Sequence, residues 1–160
     1  MTSRERKPRG TAWDRALRLL SVRERSRREV ERRLLSAGFD PPEVEEVLGR
    51  LEAAGLVDDR RFARAVAEHQ MTVRLAGTRA VMSALMAKGV DRETAEAAIG
   101  PGDGDEARAL ELASARAARL RGLRPDVAHR RLSGFLMRRG HAPNVARAAA
   151  SRALGLDSEG

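Results

Sequence analysis

From residue 12 to residue 154, apolar side chains recur at spacings of three and four, and β-branched residues are scarce. That periodicity puts an apolar stripe on each of a series of amphipathic helices. The spacing predicts nine of them, at about 12–24, 26–38, 41–55, 59–76, 78–89, 92–100, 104–121, 125–139 and 143–154. Their starts carry signals. Ser26 with Glu29 has capping-box spacing, in which the hydroxyl accepts from a backbone N–H and the glutamate reaches back to the cap. Asp40 and Glu43 repeat that spacing, with Pro41 at the first helical position. Asp58 or Asp59, then Asp91, then Asp103 or Asp105 stand where further caps are needed, and Asn144 lies inside the start of the last helix. Gly38, Gly89 and Gly140 stand where helices stop, since glycine accepts the left-handed conformation there.

Those three glycines are 51 residues apart, twice over. Around them run REVERRLLSAGFD, RAVMSALMAKGVD and HRRLSGFLMRRGHA. Val30, Val81 and Leu132 fall in register, as do Leu34, Leu85 and Leu136, then Val44, Ala95 and Ala146, then Val47, Ala98 and Ala149. The expected architecture is therefore all-α: three tandem three-helix units at 12–57, 58–102 and 103–154. A disordered basic arm at 1–11 and a frayed tail at 155–160 flank them. Each unit of about 50 residues is marginal alone, so neighbours should pack together. The third helix of unit 2 offers mainly Ala95, Ala98 and Ile99, against Val44, Val47, Leu48 and Leu51 in unit 1, and should be short. The glycines of IGPGDGDE, residues 99–106, read as a flexible hinge between units 2 and 3.

The 160 residues carry 31 Lys and Arg against 23 Asp and Glu, a formal charge of +8. Lys7 and Lys88 are the only lysines. Charge alternates in blocks. Residues 1–36 hold twelve basic and five acidic groups, 37–59 one and seven, 60–90 six and one, 91–106 one and six, and 107–160 eleven and four. The first two helices of each unit are thus basic, and the third helices of units 1 and 2 acidic. If the units stack alike, basic helices line one side and acidic helices another, a surface for a partner of mixed charge.

Catalytic chemistry is unsupported. The absence of cysteine excludes disulfides, thiolate metal sites and a thiol nucleophile, and suits a reducing compartment. His69, His129 and His141 lie far apart, outside any tight metal-ligand spacing. No P-loop, dinucleotide fingerprint or nucleophile elbow occurs. The expectation is no enzyme, no cofactor and no metal. No run of 18 uncharged apolar residues supplies a membrane span, and nothing like a long heptad seam is present, so a cytoplasmic monomer is expected. The four aromatics include Trp13, Phe62 and Phe135 at helical spacings, which reads as core packing rather than base stacking.

The basic groups carry more information. Arg25, Arg28 and Arg32 follow spacings of three and four in the second helix and share one face. Arg60, Arg61, Arg64, Arg74 and Arg79 form a group in unit 2, and Arg130, Arg131, Arg138 and Arg139 lack nearby acids. Guanidinium groups fork onto carboxylates or phosphates. The candidate contacts are Arg25, Arg28 and Arg32 of unit 1, Arg74 and Arg79 of unit 2, and Arg138 and Arg139 of unit 3.

At Leu56, Val57, Asp58, Asp59, Arg60, Arg61, Phe62 and Ala63 the chain resembles the "GLLDDERFA" signature of the RecX family of recombination regulators. Gly77, Leu85, Lys88 and Gly89 resemble the stretch that follows in that family. Ala16, Leu17, Leu20, Arg25, Ser26, Glu29, Leu34 and Gly38 resemble its first repeat. The family's "EL" pair is replaced by Glu29 with Val30 and by Ala80 with Val81, and Ala65, His69 and Gln70 stand along the fourth helix where an aromatic and an arginine are usual. The resemblance covers roughly residues 12–154, most specifically in units 1 and 2. It implies an elongated, curved, all-helical, non-enzymatic modulator, usually an inhibitor, of the RecA recombinase. Such a protein lies in the groove of the RecA–DNA filament, contacts more than one subunit and alters ATP hydrolysis and strand exchange in DNA repair, homologous recombination and the SOS response. A stand-alone basic protein contacting single- or double-stranded DNA is the competing expectation.

Overall fold

The structure is a computed structural model describing residues 10–101 and 104–157. Among these residues there are nine α-helices and no strand. They are α1 (Ala12–Val22), α2 (Arg27–Ser36), α3 (Pro41–Ala53), α4 (Asp59–Thr72), α5 (Thr78–Ala87), α6 (Arg92–Ile99), α7 (Asp105–Ala117), α8 (Pro125–Arg138) and α9 (Pro143–Leu154). The all-α repeat is as the periodicity predicts. Helix α6 has 8 residues against 13 in α3 and 12 in α9, the shortening expected from its small side chains. None of the described helices is long and apolar enough to cross a membrane.

Each unit closes its own core. Unit 1 buries Val30, Leu34, Val44, Leu48 and Leu51. Unit 2 buries Phe62, Ala67, Val81, Leu85 and Ile99. Unit 3 buries Leu132 and Leu136 among Ala109, Ala113, Ala146, Ala149 and Ala150. Small side chains at the α7–α9 contact bring those two helices close, which replaces side-chain volume with backbone proximity. Fully burying one leucine stabilises by about 2 kcal/mol, so the register-matched Leu34, Leu85 and Leu136 anchor the units equivalently. Trp13 and Phe135 pack against the outer units' cores, each under a guanidinium, Arg50 and Arg116, at 4.2 Å.

The caps depart from expectation in several places. Ser26 Oγ accepts from Glu29 N at 3.1 Å, but Glu29 turns its carboxylate to Arg23 at 2.7 Å instead of back to the cap. Asp40 makes no side-chain cap bond; Pro41 needs no N–H partner there. Asp58 caps α4, accepting from Arg60 N and Arg61 N, and Asp91 caps α6 through Thr94 N. Asp59 and Asp105 are the first residues of α4 and α7, and both carry their carboxylates to the preceding unit. The basic arm falls mostly outside the described residues, as do Asp103 and part of the predicted hinge. Thr11 caps α1 by accepting from Asp14 N. At the other end, Gly155 (φ 68°) closes α9, so the start of the expected tail continues the cap, while residues 158–160 lie outside the described set.

Candidate partner-binding surface

The surface is built by two joints between consecutive units, and both use the same positions. At the first joint Ser26 Oγ donates to Lys88 O, and Arg27 N donates to Asp59 Oδ1 at 2.8 Å. At the second, Gly77 stands in register with Ser26, and its N–H donates to Arg139 O at 2.9 Å; Thr78 N donates to Asp105 Oδ1 at 3.1 Å. The second helices of units 1 and 2 therefore start against the glycine turn of the next unit, with an aspartate from that unit over the first N–H. A Cβ on Gly89 would stand 2.2 Å from the Cβ of Arg28, and one on Gly140 would stand 2.2 Å from the Cβ of Ala80. Gly89 and Gly140 thus end a helix and let another unit's backbone approach.

The second joint is the more deeply built. His141 is 1% exposed, with Nδ1 2.8 Å from Asp105 Oδ1 and Nε2 3.1 Å from the carbonyl of Leu75, a residue held at φ 50°. Arg108, also buried, donates from Nε to Ala76 O at 2.9 Å. At the first joint the position in register with His141 is Val90, and charges on partly exposed side chains do the holding. Glu29, 13% exposed, faces Arg23, Arg25 and Lys88, and Arg61 bonds Glu24. The one sequence signal for His141 is its register. It follows Gly140 as Val90 follows Gly89 and Phe39 follows Gly38, and both of those apolar residues are buried.

The candidate arginines divide accordingly. Arg25 is a correction: helix α2 begins after it, so it shares no helix face with Arg28 and Arg32, and it is only 8% exposed. Its Nε donates to Leu19 O at 3.2 Å, and burial, with Arg23 and Arg33 nearby, lowers its pKa. Arg28 is exposed over Gly89, 3.9 Å from Glu31, and Arg32 reaches Ala87 O at 3.4 Å. Arg74 and Arg79 are exposed. Arg139 is half-buried in the second joint, its guanidinium donating to Arg74 O. Arg138 is exposed and folds over Gly134, its Nη1 3.3 Å from where a Cβ would stand. The first joint therefore gathers Arg28 and Arg32, the second Arg74, Arg79 and Arg139.

Separate basic and acidic sides do not form in unit 1. Arg27 of α2 pairs with Glu45 at 2.6 Å and with Glu52, both on α3. Burial alone would lower its pKa, but the bonds to Glu52 and Glu45 raise it. In unit 2, Arg60 and Arg64 share a cleft with Asp91, the cap of α6, and Glu93 in its first turn. Unit 3 differs, because its third helix carries Arg147 and Arg152 and no acid. Among the described residues no carboxylate pairs with Arg130, Arg131 or Arg138 of α8. None of the described His, Asp and Glu residues group in a way that would hold a metal ion.

Serial helical units, each with its own core and a charged exterior, define an all-α helical repeat protein. The model of the first RecX three-helix domain matches residues 12–51, and that of the second matches residues 58–99. The regulatory protein RecX of Amycolatopsis mediterranei is 38% identical over 130 residues, covering 80% of this chain and 74% of that protein. The one of Streptomyces coelicolor is 33% identical over 145 residues, covering 89% and 77%. The crystal structure of RecX from Lactobacillus salivarius superposes with a TM-score of 0.80 at 22% identity, covering 91% of this chain and 95% of that one, a likeness of fold. The chain belongs to the RecX family of regulatory proteins.

Proposed function

We propose that this protein regulates a RecA recombinase by binding the groove of its filament on DNA, lowering ATP hydrolysis and strand exchange. It acts as a monomer in the cytoplasm, without cofactor or catalysis of its own, in recombinational repair and the SOS response. The observation that carries this reading is the serial build. Three separately cored units, joined twice with an aspartate of the following unit over the first N–H of a second helix, give one chain three surfaces in series. Several weak contacts on a repeating partner then act together through effective concentration. The partner's mixed protein and phosphate surface suits a molecule neutralised internally in unit 1 and left basic in unit 3.

The test is DNA-dependent ATP hydrolysis by the cognate RecA filament, titrated with this protein, beside binding to the same DNA without RecA. Inhibition at concentrations too low to coat naked DNA is expected. Unchanged hydrolysis with tight, salt-sensitive binding to naked DNA would establish the second reading, a stand-alone DNA-binding protein. Arg130, Arg131 and Arg138, with which no carboxylate pairs among the described residues, favour that alternative. Reversing Arg131 and Arg138 to Glu is the matching surface variant, because Arg139 is engaged in the second joint. Filament binding should weaken while the melting temperature holds; unaltered binding would remove α8 from the interface.

A further inference from the structure

The register that aligns the cores also aligns part of the surface. Position 28 of α2, 79 of α5 and 130 of α8 are each arginine, and seven residues later stand Leu35, Met86 and Met137. Seven residues are two helical turns, so each pair lies on one face about 10 Å apart. The arginines are exposed, and the apolar members are 39%, 44% and 38% exposed. The residue before each apolar member is Leu34, Leu85 or Leu136, all fully buried. The core therefore fixes the rotation of each helix and holds its Leu or Met outward. A lone exposed apolar residue needs no explanation. The same cation and apolar pair, at the same register and the same exposure in three units, does.

The joints carry this repetition into space. The same positions dock unit 1 on unit 2 and unit 2 on unit 3. Both joints seat the start of a second helix on the glycine turn of the following unit, so the three pairs come in serial order along the joined units.

We propose that Arg28 with Leu35, Arg79 with Met86 and Arg130 with Met137 form a repeated docking surface for a polymer of identical protein subunits, each offering a carboxylate beside an apolar depression. This rests on the regulatory reading above and names the element that meets successive subunits. Charge and polarity identify the occupant. The guanidinium forks onto a carboxylate, and a Leu or Met side chain fills an apolar hollow. A nucleic-acid backbone answers the arginine but leaves the apolar partner in water. The outer face of α5 is the most apolar of the three, with Met82 beside Met86. Unit 2 therefore contributes most.

The test uses Leu35→Gln, Met86→Gln and Met137→Gln in the full chain, singly and together, since glutamine keeps the length and helix preference of the side chain. Affinity for RecA assembled on single-stranded DNA is measured beside affinity for that DNA alone and thermal melting. Each single change should weaken filament binding by about threefold to tenfold, Met86→Gln the most, and the triple by about a hundredfold or more. Binding to bare DNA and the melting temperature should hold. A triple variant that binds the filament like the wild type overturns this inference and leaves the regulatory reading standing. Loss confined to one position overturns the repeat. Absence of any wild-type binding overturns the regulatory reading and this inference with it.

Discussion

The two joints solve one geometric problem with different chemistry. Both seat the start of a second helix against a glycine turn and cover its first N–H with an aspartate. At the first, a serine hydroxyl makes the close bond and a half-exposed charge network surrounds it. At the second, backbone bonds backbone, and a buried histidine and arginine converge on the same carboxylate. A backbone contact tolerates no added atom, whereas side chains and water adjust. The second joint should therefore be the more brittle under substitution and the first the more responsive to charge.

The largest difference is expected at the register-matched residues. Gly77→Ser would put a Cβ 2.1 Å from the carbonyl carbon of Gly140, in backbone that cannot yield. It should cost about 3 kcal/mol. Ser26→Ala removes a hydroxyl and should cost about 1 kcal/mol. Urea unfolding of the two variants checks this, and equal losses would dissolve the distinction. Next come the aspartates. Asp105→Ala strips partners from Thr78 N and the buried His141, and should cost about 2 kcal/mol. Asp59→Ala strips one N–H and should cost about 1 kcal/mol. Amide exchange in unit 3 should accelerate for Asp105→Ala and stay slow for Asp59→Ala.

The smallest effect is the dependence on pH. Burial pushes the Asp59 carboxyl up, with Glu52 and Asp91 adding to it against the N–H bond from Arg27. Its contribution to stability is full below the ordinary aspartate value and lost as pH rises through the raised one. Asp58 and Asp91 are held low, chiefly by the backbone N–H groups of Arg61 and Thr94. Their contributions are present above the ordinary value and lost as pH falls through the depressed ones. Asp59→Asn keeps an acceptor for Arg27 and removes the charge. Its melting temperature should gain on the wild type as pH rises through the Asp59 value, and a constant difference across that range would refute the assignment.

Much of this architecture is legible in the chain. Leu34, Leu85 and Leu136 mark the cores, and the three glycines mark the helix ends, because periodicity and left-handed backbone are local properties. The short α6 follows from its alanines. The surface was less legible. Arg25 fits the spacing of a helix face, yet it precedes the helix and is buried. Glu29 fits a capping box, yet three cations compete for it. The Arg25 miss is one of helix boundary, since the residue lies just before α2 and turns back to Leu19 O. Glu29 is drawn off by Arg23 and Arg25 close by in sequence and by Lys88 of the next unit.

Spacing along one chain is enough to place the helices, the threefold repeat and the family. It does not show that Asp59 and Asp105 serve the preceding unit, or that His141 is interior. Nor does it show that acidic α3 neutralises basic α2 while, among the described residues, no carboxylate pairs with Arg130, Arg131 or Arg138 of α8. Those outcomes depend on which surfaces meet. Within a helix, a one-dimensional pattern fixes the face a residue occupies, but the partner on that face is chosen by packing between helices and between units.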